Sequence, residues 1–231
     1  KRHNMTVVVT EEKKNISKTK LQEERGMEVL RVKVENMFNV SLIQKAISYS
    51  TLPILIKKAI NKHLKGKKYD MVLYTAPPVT IESIIKYIKY KFKCKSYLMQ
   101  KDIFPQNAVD IGIMKKNGLI YYYFRKKEKK IYKISDKIGC MSQKNMRYIL
   151  ENNKNIQNLE SKLEIFPNTI TLKEYNEGQA MDNGIKIKYK IPTDKIIALY
   201  GGNLPVSTAR ARRKFWKATR SGLYYKIIRA L

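Results

Sequence analysis

The sequence predicts an α/β protein built on a parallel β-sheet with helices on both faces. Short β-branched or apolar runs alternate along the chain with longer segments whose apolar residues recur at helical spacing, which is typical of a parallel sheet with crossover helices. Each predicted strand also ends in small, polar or turn-forming residues. With 231 residues, of which 43% are hydrophobic, the chain can bury a core in one large or two small domains.

The first half of the chain supplies three predicted strands and two predicted helices. The runs "NMTVVVT" and "MEVLRVKVENM" are rich in valine and predict the first two strands. Residues 41–65 have apolar side chains at helical spacing, with a break expected at Pro53. The run "YDMVLYTAPP" predicts a third strand that two prolines end, and "TIESIIKYIKYKF" predicts a helix with Thr80 as its N-cap.

The following residues continue this alternation. The runs "KSYLMQ", "DKIGCMS" and "KLEIFPN" predict strands, whereas "GLIYYYFRKKEKKIYKI" and "QKNMRYILEN" predict helices. These elements define one domain over residues 1–170. Residues 171–193 are polar and contain glycine and proline, which is typical of an interdomain linker. Residues 194–231 open with "DKIIALYGGNL", a strand running into a Gly-Gly turn, as a second α/β domain would begin.

The composition is strongly basic, and two explanations of it stay open. A formal net charge of +29 and a pI near 10.0 suggest a polyanionic partner such as nucleic acid, anionic lipid or a phosphorylated substrate. The alternative is base composition, because Lys, Ile, Asn, Tyr and Phe all have codons rich in A and T and all are frequent here.

Several classes of protein do not fit the sequence. The two cysteines and two histidines have no metal-ligand spacing, so we expect no metal site and two reduced, packing cysteines. The longest apolar runs are far shorter than the ~20 residues that span a bilayer, and the first residues lack a signal-peptide core. The chain begins without methionine and almost directly with a strand, so we expect its natural start to be missing.

Chemically useful residues follow the predicted strands where each strand ends. Pro77 and Pro78, then Asp102, then Ser142, then Asn168 occupy these positions. In open α/β sheets the carboxyl edge of the strands is where ligands bind. We therefore expect these residues along the rim of a binding cleft. For Asp102 an alternative is a purely structural carboxylate that accepts hydrogen bonds from turn amides.

The order of these segments resembles a known family of enzymes. "YDMVLYTAPP", "YLMQKDIFPQNAVDIG", a basic aromatic helix, "SDKIGCMSQKN", "LEIFPN" and "IIALYGGNL" follow one another as in bacterial family-four glycosyltransferases of the GT-B fold, which build capsular and other surface polysaccharides. The resemblance covers roughly residues 69–204 well and the earlier part more loosely. Its most specific element is "KDIFPQNAVD", which resembles the Asp-aromatic-Pro motif of the branch containing amino-sugar and fucosamine transferases.

The resemblance implies a Rossmann-like acceptor domain, the amino-terminal half of a GT-B enzyme, followed by a linker and the start of a donor domain. Such an enzyme moves a sugar from a nucleotide-sugar donor to a glycan or polyprenyl-diphosphate-linked acceptor. It needs no metal or cofactor, because basic residues and helix N-termini balance the leaving diphosphate. It would work in the cytoplasm, with peripheral attachment to the inner face of the cell membrane as a further expectation.

The resemblance also assigns roles to individual residues. Asp102 would face the acceptor hydroxyl as the catalytic residue, orienting it or accepting its proton. The backbone at Gly201, Gly202 and Asn203 would approach the donor diphosphate. The acceptor side of the cleft would be formed by the residues that follow the strands, namely Pro77, Pro78, Pro105, Gln106, Ser142 and Asn168.

The chain departs from the family after "GGNL". The family continues there for a further donor domain, whereas this chain has an arginine-rich tail with its one tryptophan, Trp216. A frameshift or truncation explains both facts and predicts that this chain alone does not transfer sugar. The competing interpretation is a basic, aromatic helix that binds lipid or nucleic acid.

The predicted helix "YYYFRKKEKKIYK" has two interpretations as well. Its tyrosines and lysines would suit anionic membrane headgroups, or they form an ordinary solvated face. Two functions of different class are thus carried forward. The first is a glycosyltransferase fragment, in which nucleic acid is not a partner. The second is a basic module that binds nucleic acid or a membrane surface without catalysis.

Overall fold

The computed structural model describes residues 3–36 and 41–169, together with Ile187. One compact unit covers residues 1–168, and residues 169–231 form a second unit. The predicted linker at 171–193 and the predicted donor segment at 194–231 lie outside the described residues, Ile187 excepted. Strands within the described part are Thr6–Glu12 (β1), Lys20–Glu24 (β2), Met27–Val34 (β3), Met71–Ala76 (β4), Lys95–Gln100 (β5), Lys137–Cys140 (β6) and Leu163–Ile165 (β7).

Helices separate most of these strands. They are Leu42–His63 (α1), Glu82–Phe92 (α2), Gln106–Asp110 (α3), Leu119–Ile134 (α4), Gln143–Asn152 (α5) and Leu159–Lys162 (α6), with a short 3-10 helix at Val79–Ile81. The alternation predicted from the sequence is therefore confirmed as a mixed α/β fold. The strands form a four-stranded sheet and a separate three-stranded sheet.

The four-stranded sheet has the order β4-β5-β6-β7, and all its strands are parallel. Helices α2, α4 and α5 lie in the connections between successive strands. Their apolar faces pack on the sheet in one core, which includes Leu98 of β5, Ile138 of β6, Ile131 of α4 and Ile149 of α5, each fully buried. This sheet is the part of the fold that agrees with a parallel, Rossmann-like arrangement.

The three-stranded sheet has the order β1-β3-β2, with β1 parallel and β2 antiparallel to β3. A two-residue turn joins β2 to β3, and both of its residues, Arg25 and Gly26, have positive φ. Such turns match the twist of a hairpin. Strand β2 was not predicted from the sequence, and the expectation of one wholly parallel sheet is wrong for this part of the chain.

Two expectations about helix geometry are also wrong. Helix α1 continues through Pro53, because the side chains of Leu52, Ile56 and Ile60 pack in one core with β3 on both sides of the proline, and such packing outweighs one missing hydrogen bond. Thr80 does not cap α2, since it lies inside the 3-10 helix and Ile81 occupies the cap position.

Helix α2 connects the two sheets. Its residue Ile84 packs in the core of α1 and β3, whereas the next residue, Ile85, packs in the core of the four-stranded sheet. The Tyr69 hydroxyl adds a second link by donating a hydrogen bond to Thr6 Oγ1 of β1 at 3.0 Å. The two sheets are thus held together within the first unit.

Helix α4 carries a buried cluster of charged and polar side chains centred on Glu128. Glu128 is 2% exposed, accepts a hydrogen bond from the Tyr132 hydroxyl at 2.8 Å and forms an ion pair with Arg125. Arg125 also donates to the Asn153 side chain at 2.9 Å. Burial raises the pKa of the Glu128 carboxyl above its usual value, although Arg125 and Tyr132 oppose this shift.

Gly139 of β6 is a close-packed point of the four-stranded sheet. A Cβ atom there would lie 2.6 Å from both the Tyr97 hydroxyl and Phe166 Cβ. The rings of Tyr97 and Phe166 contact each other edge to face with centroids 5.6 Å apart, and the Tyr97 hydroxyl donates a hydrogen bond to Glu164 at 2.7 Å. The two rings therefore pack over a position that has no side chain.

We expect Gly139→Ala to lower the free energy of unfolding by about 1–3 kcal/mol, because overpacking forces neighbouring groups to shift. Urea unfolding followed by circular dichroism measures this change. Gly118→Ala is the matched control, since a Cβ atom there meets its nearest neighbour, the Lys115 carbonyl oxygen, at an ordinary 3.4 Å. Equal stability of Gly139→Ala and the wild type would show that Tyr97 and Phe166 move aside freely.

Candidate functional site

The candidate site lies at the carboxyl edge of the four-stranded sheet. Strands β4, β5, β6 and β7 are parallel, so their last residues lie along one edge. The chain leaves this edge through the segments that the sequence analysis singled out, which contain Pro77, Pro78, Asp102, Ser142 and Asn168. The structure therefore places Asp102 and Ser142 on the same side of the sheet, after neighbouring strands.

The main chain of Asp102 is fixed by groups at the ends of β4 and β5. The amides of Lys101 and Asp102 donate to the Ala76 carbonyl at the end of β4, at 3.2 and 3.4 Å. The side-chain amide of Gln100 donates to the Asp102 carbonyl at 2.7 Å, and the amide of Phe104 donates to the same carbonyl at 3.1 Å. These bonds hold the backbone and leave the side chain free to serve another purpose.

The Asp102 carboxylate itself is exposed. Within residues 3–36 and 41–169 it has no hydrogen-bond or ion-pair partner. The structural alternative required this carboxylate to accept bonds from turn amides, but the turn amide of Phe104 bonds to the main-chain oxygen instead. The carboxylate is thus a free acceptor at the edge of the sheet.

Two buried amide oxygens lie in the same segment. Gln100 Oε1 and Asn107 Oδ1 are both buried and have no hydrogen-bond donor in the described part of the chain, and Gln100 is 1% exposed. A buried acceptor without a donor lowers stability by about 1–3 kcal/mol. Such atoms are uncommon in folded proteins.

Neither of these two residues was predicted from the sequence, although the alternation of β5 indicates that Gln100 is buried. In β5, every second residue is buried, namely Ser96, Leu98 and Gln100. Because side chains alternate between the two faces of a strand, this period places Gln100 on the same inner face as Leu98. No comparable pattern marks Asn107, which lies in the short helix α3. Its burial depends on how the chain folds back after Asp102.

The predicted cleft residues near Asp102 and Ser142 have identifiable structural roles. Pro105 is buried and precedes α3, and Gln106 donates a hydrogen bond to Asp110 at 2.7 Å along that helix. Ser142 caps α5 by accepting a hydrogen bond from the Asn145 amide at 3.3 Å. A serine cap of this kind satisfies an amide that would otherwise lack a partner.

The other predicted cleft residues are the prolines after β4 and β5 and Asn168 after β7. The peptide bonds before Pro77, Pro78 and Pro105 are cis. Asn168 is exposed and follows β7. The predicted donor-binding residues Gly201, Gly202 and Asn203 lie outside the described residues.

A second polar cluster lies at the opposite, amino-terminal edge of the sheet. Although burial alone would raise the pKa of Asp136, hydrogen bonds from Lys89 and Ser96 lower it below 3.8. Lys89 and Lys162 donate to the last carbonyls of α4, at 2.6 and 3.0 Å. A cavity of about 240 Å³ opens beside them. These lysines stabilise a helix C-terminus, which accounts for the cluster structurally.

The described residues contain no group of three or more His, Cys, Asp or Glu side chains that could hold a metal ion. None of the described helices is long and apolar enough to cross a membrane. Cys94 and Cys140 are both buried free thiols, and burial raises the pKa of Cys140 to about 11, which is typical of unreactive packing cysteines.

Comparison with known proteins gives a plain result. No family model matches the chain. No curated protein is significantly similar to it. The resemblance to family-four glycosyltransferases therefore rests on the quoted sequence motifs. The structure adds a four-stranded parallel sheet with Asp102 at its carboxyl edge.

Proposed function

We propose that the chain is the acceptor-binding half of a glycosyltransferase, which transfers a sugar from a nucleotide-sugar donor to a glycan or lipid-linked acceptor. The observation that carries the proposal is the exposed carboxylate of Asp102, which has no partner within residues 3–36 and 41–169 while its main chain is fixed by β4 and Gln100. The motif "KDIFPQNAVD" supports the same proposal from the sequence.

The geometry suits recognition of a hydroxylated ligand. An acceptor sugar presents several hydroxyl groups, and this segment contains three hydrogen-bond acceptors: the exposed Asp102 carboxylate and the buried amide oxygens Gln100 Oε1 and Asn107 Oδ1. We infer that the two amide oxygens accept bonds from hydroxyls that do not react. Asp102 would then meet the hydroxyl that does.

The chemistry proposed for Asp102 is general-base or orienting assistance. The acceptor oxygen forms a bond to the anomeric carbon of the donor while the bond from that carbon to the nucleoside diphosphate breaks. Asp102 orients the hydroxyl or takes up its proton as the new bond forms. In the family that the chain resembles, basic groups and helix N-termini balance the charge of the departing diphosphate.

The proposal is tested by glycan binding to the purified chain. The ligands are soluble mono- and disaccharides, free and attached to a short prenyl diphosphate, and saturation-transfer NMR detects binding. We expect saturable binding of at least one amino-sugar or deoxysugar glycan. Asn107→Leu should weaken it about tenfold, since one hydrogen bond to the ligand is lost.

The control for this test is Asn152→Leu, which makes the same substitution at an exposed position of α5 and should bind as the wild type does. Failure of every glycan to bind would contradict the proposal. Binding of DNA or RNA instead, with an affinity that falls steeply as salt rises, would favour the non-catalytic basic module.

A further inference from the structure

Exposed apolar side chains are concentrated in the loop that follows α3 and in the first two turns of α4. Outward-facing side chains in this stretch include Ile113 at 74% exposure, Leu119 at 90% and Ile120 at 65%. We define the apolar patch by its six large exposed residues: Ile111, Ile113, Leu119, Ile120, Tyr122 and Tyr123. Single exposed apolar residues are ordinary, but a group within one short stretch marks an interaction surface.

The apolar patch lies on the same side of the sheet as Asp102. Helix α4 ends at the amino-terminal edge, where the Asp136 amide bonds to the Ser96 carbonyl. A helix of 16 residues is about 24 Å long, so α4 begins near the carboxyl edge. The ring of Phe104, in the Asp102 loop, contacts Phe124 of α4 edge to face at 4.9 Å. The patch and the candidate site are therefore neighbours.

Exposed lysines lie within and after the apolar patch. Lys115 and Lys116 are exposed in its loop, and Lys126 and Lys130 are exposed on the following turns of α4. Residues 111–127 contain no acidic side chain. Apolar and tyrosine side chains flanked by lysines are typical of segments that bind at the surface of an anionic membrane.

Charge also decides between the partners that could cover this surface. A second copy of the chain carries a net charge of +29, so self-association would bring like charges together. Residues 205–231 of the same chain contain lysine and arginine but no aspartate or glutamate, so their charge does not complement the lysines of the patch either. An anionic lipid surface complements both the apolar and the cationic side chains.

We propose that the apolar patch docks the protein on an anionic lipid bilayer, with the isoleucine, leucine and tyrosine side chains in the interfacial region and the flanking lysines against the headgroups. Resting on the proposed function, this docking would hold the Asp102 edge beside the membrane, where the hydroxyls of a lipid-linked acceptor are presented. The class of acceptor is then a glycan carried on a membrane lipid.

The test is sedimentation of the purified chain with vesicles of phosphatidylcholine, with and without phosphatidylglycerol. The wild type should bind the anionic vesicles. Ile113→Ser/Leu119→Ser/Ile120→Ser should weaken that binding at least about tenfold, because three apolar side chains no longer enter the interface. Lys115→Gln/Lys116→Gln should weaken it about tenfold as well.

Matched control variants show whether the loss of binding is specific to the patch or follows from removing any exposed apolar or positively charged side chains. Ile54→Ser/Tyr90→Ser removes apolar side chains of similar exposure, 65% and 85%, from other helices. Lys65→Gln/Lys68→Gln removes the same charge from another exposed loop. Both control variants should keep wild-type binding.

Several outcomes would overturn the proposal. These are absence of wild-type binding to anionic vesicles, unchanged binding of the patch variants, or equal losses in the controls. Sedimentation of the wild type as a dimer that the triple substitution dissociates would assign the patch to self-association instead. The vesicles carry no glycan and the glycan assay contains no bilayer, so this proposal and the proposed function fail independently.

Discussion

Asp102→Asn is expected to lower the turnover of any active form of the proposed glycosyltransferase by about 10²–10⁴-fold, the usual effect of losing a general base. Asparagine has nearly the same shape as aspartate but does not accept a proton. The loop should keep its conformation, because its hydrogen bonds from Lys101, Asp102 and Gln100 to neighbouring groups all involve the main chain at one end. The loss should therefore appear in kcat, with a smaller effect on nucleotide-sugar binding.

Kinetics with a matched acceptor and donor pair measure both effects, and Asp70→Asn serves as the control. Asp70 is also exposed, and it precedes β4 at the opposite edge of the sheet, where its carbonyl accepts a bond from the Lys95 amide. Its substitution changes the net charge equally and should leave turnover unchanged. Undiminished turnover of Asp102→Asn would leave the carboxylate without a role in catalysis.

Arg125→Ala is expected to lower the free energy of unfolding by about 3–5 kcal/mol at neutral pH, the range found when one partner of a buried ion pair is removed. The substitution leaves Glu128, which is 2% exposed, as a buried carboxylate. It also removes the donor to the Asn153 side chain. Urea unfolding followed by circular dichroism measures the difference.

The same variant should show a distinctive pH dependence. Burial already raises the pKa of Glu128 above 4.5, so the folded state binds the proton at a higher pH than the unfolded state does. Glu128 therefore favours folding more as pH falls toward 4.5. Loss of Arg125 raises the pKa further, so the destabilisation of Arg125→Ala should shrink as pH falls through this higher value.

A double variant separates the buried charge from lost packing. Arg125→Ala/Glu128→Gln keeps an acceptor for the Tyr132 hydroxyl but leaves no buried charge. It should be more stable than Arg125→Ala at neutral pH, and the two should converge in acid. A change below about 0.5 kcal/mol for Arg125→Ala, the usual range for surface positions, would contradict a buried ion pair.

How much of this fold could be predicted depends on where its stabilising interactions lie. Strands β4 to β7 and helices α4 and α5 are encoded in local apolar patterns, and they were predicted. Strand β2, "KLQEE", has no such pattern, because it is held by backbone pairing with β3 and by a hairpin turn that lacks the usual Asn-Gly signal. Helix α1 passes through Pro53 because distant residues pack against it, which a local rule does not include.

The candidate site divides in the same way. The positions of Asp102 and Ser142 followed from the rule that parallel strands end at one edge, which needs only the order of the elements. The unpartnered oxygens of Gln100 and Asn107 could not be predicted, because a missing partner is a property of the folded surroundings. For α4 the sequence left two interpretations of its tyrosines and lysines open, and the other exposed apolar residues of the patch, Ile111, Ile113, Leu119 and Ile120, were part of neither.

The adjacent residues Ile84 and Ile85 have a consequence for how the protein responds to a ligand. Since α2 packs side chains into both cores, unfolding of this helix removes apolar contacts from both sheets. The two sheets should therefore open as one cooperative unit. A molecule held only at the Asp102 edge would slow amide hydrogen exchange in β1 and β3 as well, although it contacts neither strand, because binding to the folded form stabilises the whole unit by mass action.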